Sequence, residues 1–201
     1  TLGDSKISQC SPPLFKAMRI LISTFFTLLL MGFAGGSYGQ PDFEETKRLA
    51  EQGDADAQYN LGLMYYRGDG ATQNYAEAVK WYRLAAEQGG AGAQFSLGLI
   101  YFSGAEGVPK DDVEAVKWYR LAAEQGDAGG QYFLGLMYDN GYGVPLDNVR
   151  AYVWWSVAAS QGNEYSKVFR EMVSERLTPC QLALGQEIAT KCFESGYQDC
   201  E

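Results

Sequence analysis

Aromatic and small apolar residues return along this chain in a fixed order, separated by polar turns. Ala57, Leu61, Met64 and Tyr65 stand at helical spacing, and the same pattern recurs over 93–101 and 130–138. A second pattern follows each first one. Ala78, Trp81, Tyr82 and Ala85 return as Ala115, Trp118, Tyr119 and Ala122, then as Ala151, Trp154, Trp155 and Ala158. Large rings alternate with alanines on one face, so the rings of one helix can seat against the alanines of another. The spacing predicts pairs of amphipathic helices with buried aromatic cores. Gly53, Gly89, Gly126 and Gly162 close successive units and lie 36, 37 and 36 residues apart. A fixed period of that size marks a solenoid of stacked repeats.

Local signals sharpen the units. Gly62, Gly98 and Gly135 sit inside the first helices. An interior glycine costs a helix about 1 kcal/mol relative to alanine, so three recurrences predict close approach of a neighbouring helix. Gly68, Gly104 and Gly141 are expected to end the first helices. Asn74, Asp111 and Asp147 are expected N-caps of the second helices, and Glu77 and Glu114 complete the pattern of a capping box. Pro109 and Pro145 discourage helix in the loops between.

The flanks differ from the repeats. Residues 1–17 read as an upstream or disordered segment. Met18-Arg19 then opens an apolar run, Ile20 to Ala34, that ends in small residues up to Gly39. A short basic start, an apolar core and a small-residue boundary predict a signal peptide over 18–39. A membrane span needs about 20 apolar residues, and this run is shorter. Residues 41–53 read as a half-repeat that caps the array, followed by repeats at 54–89, 90–126 and 127–162. Residues 163–201 read as capping helices. The first, Asn163 to Leu177, carries Tyr165, Val168, Phe169, Met172 and Val173 on one side. The second starts at Thr178-Pro179, with Thr as N-cap and Pro in the first turn, and runs to about Glu194.

Charge and composition narrow the function. The 201 residues carry a formal net charge of −9 and no histidine. An acidic surface repels nucleic acid and anionic membranes and favours partners with basic segments. The absence of histidine removes Ser-His-Asp triads and histidine metal ligands. The recurring tryptophans and tyrosines read as repeat core rather than a stacking platform for sugars. Asp111, Asp112 and Glu114 read as helix caps rather than an acid–base pair. The Gly-x-Gly steps lack the strand and the lysine of a phosphate loop. No metal, cofactor or catalytic residue is expected.

Export makes a disulfide expected. Cys180 and Cys192 fall on one predicted helix, roughly 18 Å apart along its axis, too far to bond. Cys192 with Cys200 closes a short loop through Gly196 and is the preferred pair. Cys180–Cys200 requires the tail to fold back. With Cys192–Cys200 formed, Cys180 is expected to be free.

These motifs resemble the Sel-one-like repeat (SLR) family, relatives of the tetratricopeptide repeats. The likeness rests on Ala-x-x-x-Leu-Gly-x-x-Tyr in the first helix, Gly-Val-Pro-x-Asp in the loops at 107–111 and 143–147, and Ala-x-x-Trp-Tyr-x-x-Ala-Ala-x-Gln-Gly in the second helix. The first loop departs from that pattern, Gly130 replaces an alanine, and Leu146 replaces a polar residue. The tail around Leu177, Thr178 and Pro179, with Cys192 and Cys200, resembles short exported bacterial members. The resemblance implies an all-α fold, a right-handed α-solenoid that binds proteins or peptides in a groove and has no general catalytic site. It implies a periplasmic or secreted scaffold.

Core positions repeat, whereas positions that read a partner need not. The variable positions of the first helices are therefore the candidate groove: Asn60, Ser96 and Phe133; Tyr66, Phe102 and Asp139; Arg67, Ser103 and Asn140. Two rivals stand beside the scaffold. One is a cell-wall or β-lactam-directed hydrolase of the cysteine-rich type that the family includes. The repeats here hold no cysteine, and no Ser-x-x-Lys stands in the mature segment. The other is a purely structural periplasmic protein.

Overall fold

The computed structural model describes residues 42–200, so the upstream segment and the signal peptide expected over 1–39 lie outside the described residues. Within them the chain forms nine α-helices. A short cap, α1 (Phe43–Glu51), precedes three pairs: α2 (Ala55–Arg67) with α3 (Tyr75–Glu87), α4 (Ala91–Ser103) with α5 (Asp112–Glu124), and α6 (Ala128–Asn140) with α7 (Asn148–Ser160). Two helices close the array, α8 (Glu164–Ser174) and α9 (Pro179–Glu194). Each helix packs on the next up to α8, and α9 turns back onto α7. This is an all-α solenoid.

The glycines inside the first helices act as expected. A Cβ at Gly62 would lie 2.7 Å from the Tyr82 ring, one at Gly98 2.5 Å from Tyr119, and one at Gly135 2.7 Å from Trp155. Each second helix therefore lays an aromatic ring on the bare backbone of its paired first helix. All six repeated aromatic positions, Trp81, Tyr82, Trp118, Tyr119, Trp154 and Trp155, are buried. Burial of each such ring contributes on the order of 2 kcal/mol or more.

A glutamine relay ties the repeats together. Buried Gln58, Gln94 and Gln131 donate to the carbonyls of Ala50, Ala86 and Ala123 at the end of the preceding unit. Their side-chain oxygens accept from Gln88, Gln125 and Gln161 at 2.8, 2.6 and 2.7 Å. Arg83 and Arg120 add a cross-repeat link by donating to the hydroxyls of Tyr101 and Tyr138. These carbonyls, which also accept from the backbone N–H groups of Gly53, Gly89 and Gly126, thus gain a second donor from the next repeat.

Asn74, Asp111 and Asp147 cap α3, α5 and α7 as expected. The capping boxes expected at Glu77 and Glu114 do not form; among the described residues the reciprocal box appears at Thr178 and Gln181 of α9. The reason is local. The cap N–H groups of Asn74, Asp111 and Asp147 already donate to the carbonyls of Tyr65, Tyr101 and Tyr138. Glu114 instead accepts from Lys117 and from the Trp118 indole.

Tyr165, Val168 and Met172 of α8 are exposed, and the helix buries Ser166 and Val173. One further expectation is corrected, at Cys180. The Cys192–Cys200 disulfide is present, with Cα atoms 4.4 Å apart. Cys180, however, is also disulfide-bonded and no described cysteine is free. It lies exposed in the first turn of α9.

Candidate protein-interaction face

The first helices α2, α4, α6 and α8 succeed one another along the array, with α4 against α6 and α6 against α8. Their contact follows one rule. Tyr59 of α2 packs where Gly92 begins α4, with 3.7 Å from its ring to a Cβ built there, and Phe95 of α4 meets Gly129 of α6 at 3.0 Å. Tyr132 of α6 occupies the same register and meets Tyr165 of α8, ring centres 6.3 Å apart. Leu63, Leu99 and Leu136 lie one turn further along the same side and are half-buried.

The variable positions divide between packing and solvent. Ser96 donates to the Gly92 carbonyl of its own helix and stands beside the Tyr82 hydroxyl, whose pKa it slightly lowers. Phe133 holds the same register one repeat later and stacks on Tyr119, ring centres 5.1 Å apart and 16° from parallel. Phe102 meets Phe133 at 6.2 Å and Tyr142 at 6.1 Å between ring centres, and the Lys110 ammonium lies 5.5 Å from the Phe102 ring centre and 5.6 Å from that of Tyr142. Asp139 accepts an ion pair from Arg176 beyond α8. Asn60 is half-buried. Tyr66, Arg67, Ser103 and Asn140 are exposed at the C-terminal ends of their helices. Ser103 and Asn140 donate to the Leu99 and Leu136 carbonyls of their own helices.

The electrostatics of this side are unlike those of the whole chain. Helix α4 carries no charged residue, and α6 carries Asp139 alone. The acids and bases of the repeats concentrate on the second helices and their caps. Burial pushes the Tyr82 and Tyr119 hydroxyls well above the usual tyrosine range, so both stay neutral. The Tyr119 hydroxyl has no hydrogen-bond partner, and Phe133 stands at the register that Ser96 holds beside Tyr82.

Among the described residues no hydrogen bond pairs a serine or threonine hydroxyl with a side-chain carboxylate. Asp111 caps α5, and Glu114 is held by Lys117 and Trp118. Among the described residues no cluster of acids and cysteines is disposed to hold a metal ion. A shallow cleft between α7 and α9 is lined by Val157, Ala189 and Phe193, and its hydroxyls, Ser156, Ser160 and Thr190, donate to carbonyls of their own helices.

The sequence pattern missed the row at Tyr59, Phe95 and Tyr132 as a contact between first helices. Gly92 and Gly129, small at the same register, were the signal for it.

A model of the Sel1 repeat family matches residues 55–90, 91–127 and 128–163, more than half of the 201 residues. The chain belongs to the Sel1 repeat family. Proteins of this family generally mediate protein–protein interaction and are mainly non-enzymatic scaffolds. The crystal structure of a Sel1 repeat protein from Oxalobacter formigenes superposes with a TM-score of 0.58 at 43% identity, over 64% of this chain and 96% of that one. A sel1-like repeat-containing protein, L18, of Acanthamoeba polyphaga mimivirus is 53% identical over 38 residues, 19% of this chain. The secretory immunoglobulin A-binding protein EsiB of Escherichia coli O6:H1 is 51% identical over 68 residues, 34% of this chain. This chain spans 6% and 13% of the length of those two curated relatives.

Proposed function

We propose that this Sel1 repeat protein is an exported scaffold that holds a partner protein or peptide against its first-helix side. The observation that carries this reading is the nearly uncharged strip across α4 and α6, with aromatic and leucine side chains half-buried and Tyr66, Arg67, Ser103 and Asn140 exposed along its edge. Apolar anchors ringed by polar side chains are where protein partners gain most of their affinity. The name of the E. coli relative supports a protein as the class of ligand. Two features support export: the signal peptide read at 18–39, and the Cys192–Cys200 disulfide, which suits an oxidising compartment. Among the described residues no helix is long and apolar enough to cross a membrane.

A photo-crosslinking residue at Ser103 or Asn140, introduced in the cells that make the protein, tests the reading. One discrete crosslinked protein, reduced when Tyr66 or Phe102 is changed to alanine, is expected. Equal crosslinking from Lys80 and Glu87, on the second-helix side, would overturn it.

A further inference from the structure

Helix α8 ends the succession of first helices with its contact side uncovered. Val168 holds the register of Tyr59, Phe95 and Tyr132, and Met172 that of Leu63, Leu99 and Leu136. In each earlier unit the following first helix meets the aromatic position, Gly92 at Tyr59, Gly129 at Phe95 and Tyr165 at Tyr132, and the leucine is half-buried. Here α9 packs on α7, and Tyr165, Val168 and Met172 are left 73%, 54% and 56% exposed. Their spacing, i, i+3 and i+7, is the seam of a helix that pairs with another helix.

The rim of this seam is charged in one sense. At about 100° per residue, Glu164, Glu171 and Glu175 align along the outer edge of the stripe, and all three are exposed. Lys167 and Arg170 reach Glu164 and Glu171 only loosely, at 4.0 and 3.9 Å. Pairs that exposed contribute little, so the acids remain open to a stronger partner. A second copy would set glutamates against glutamates across an antiparallel pairing. It would also set bulky residues on bulky residues, where the array seats a ring on glycine. A helix with an apolar seam and basic flanks satisfies both features.

We propose that α8 is a docking face for a basic amphipathic helix of a partner protein. Its apolar seam would cover Tyr165, Val168 and Met172, and its lysines or arginines would meet Glu164, Glu171 and Glu175. This extends the first-helix row by one helix and rests on the scaffold reading.

The test uses a synthetic amphipathic peptide of about 20 residues, long enough to hold helix when bound, with a leucine seam flanked by lysines. A twin peptide replaces the lysines with glutamates. Binding to the full chain is measured by titration calorimetry at two salt concentrations. We expect binding of the lysine peptide and none of the twin. Val168→Asp with Met172→Asp should weaken it about tenfold or more. Glu164→Gln with Glu171→Gln and Glu175→Gln should weaken it and flatten its salt dependence. Circular dichroism establishes that each variant is folded. Unchanged binding by the seam variant would overturn the proposal. So would an equal loss when Glu77 and Glu87 of α3 are changed to glutamine, since that means general attraction to an acidic protein. A concentration-dependent dimer abolished by Val168→Asp would overturn it in favour of a second copy. None of these outcomes alters the crosslink at Ser103, so the two readings fail separately.

Discussion

The side-chain amide of Gln125 donates to the side-chain oxygen of Gln94 at 2.6 Å, while Gln94 itself donates to the Ala86 carbonyl at 3.1 Å. One buried glutamine thus joins the end of its own repeat to the end of the one before. Removing it loses both side-chain bonds, each contributing about 0.5–1.5 kcal/mol and together about 1–3 kcal/mol, while the Ala86 carbonyl keeps the Gly89 N–H. Gln94→Leu is expected to lose stability in that range by urea unfolding. Gln125→Ala should lose less, because Gln125 is exposed and water can replace it at Gln94.

Phe133 and Ser96 hold one register against two different rings. Phe133→Ala should lower stability by about 1–3 kcal/mol, from lost stacking on Tyr119 and partial burial. Phe133→Ser sets at this register the hydroxyl that Ser96 holds beside Tyr82 and offers the unpartnered Tyr119 hydroxyl a partner. It is therefore expected to be less damaging than Phe133→Ala, although both lose the ring. Thermal melts of the two variants side by side decide the point; equal losses would mean the hydroxyl gains nothing.

These residues also show what the sequence made legible. Trp118 and Tyr119 were readable as core because a large ring recurs at both positions in every repeat, with Tyr giving way to Trp at Trp155. Ser96 and Phe133 vary, and variation suggested a surface that reads partners. In fact the ring across from them accepts either a hydroxyl or another ring, so the position varies within the packing. The face of α8 was legible as an apolar side but not as an open one, since periodicity reports a side and not what covers it. The missing capping boxes depended on carbonyls of Tyr65, Tyr101 and Tyr138, nine or ten residues upstream and brought back by the loops.

Glycines in the first helices should respond to substitution with opposite signs. A Cβ at Gly98 would press into the Tyr119 ring at 2.5 Å, whereas one at Gly92 would touch Tyr59 at an ordinary 3.7 Å. Gly98→Ala is expected to destabilise by about 1–3 kcal/mol through overpacking. Gly92→Ala should stabilise by up to about 1 kcal/mol, because alanine has the better helix propensity and meets no obstacle. Chemical unfolding of both variants checks the pair.

The buried tyrosines set the alkaline limit. Burial is the main cause that raises Tyr82 and Tyr119, with Tyr59 adding at the first and Asp112 at the second. In the unfolded chain each titrates near about pH 10. Their contribution is therefore complete below that pH and is lost as pH climbs through the raised folded values. Stability should be nearly flat between about pH 6 and 8, where a chain without histidine has few groups to titrate. It should fall above about pH 10, and Tyr119→Phe should make that fall shallower. An unfolding series across pH, followed by tryptophan fluorescence, would show a steep change near neutrality if this account were wrong.

The C-terminal loop ties the end of the chain to the middle of the array. The Cys192–Cys200 bond closes it, Tyr197 lies against Gly126 after α5, and Gln198 donates to the Glu124 carbonyl at 3.0 Å. Tyr197 holds a positive φ of 72°, a conformation that an open chain adopts rarely outside glycine. Closing so short a loop stabilises by about 2–3 kcal/mol in the chain-entropy account. Cys192→Ala with Cys200→Ala should therefore release Tyr197 and Gln198 together. Amide exchange is expected to quicken in α9 and in the turn between α5 and α6. Exchange in α2 and α3, which lie beyond α4 and α5 and are joined to them only through nearest neighbours, should stay unchanged. A uniform rise along all the helices would instead mean that the loop supports the whole array rather than its end.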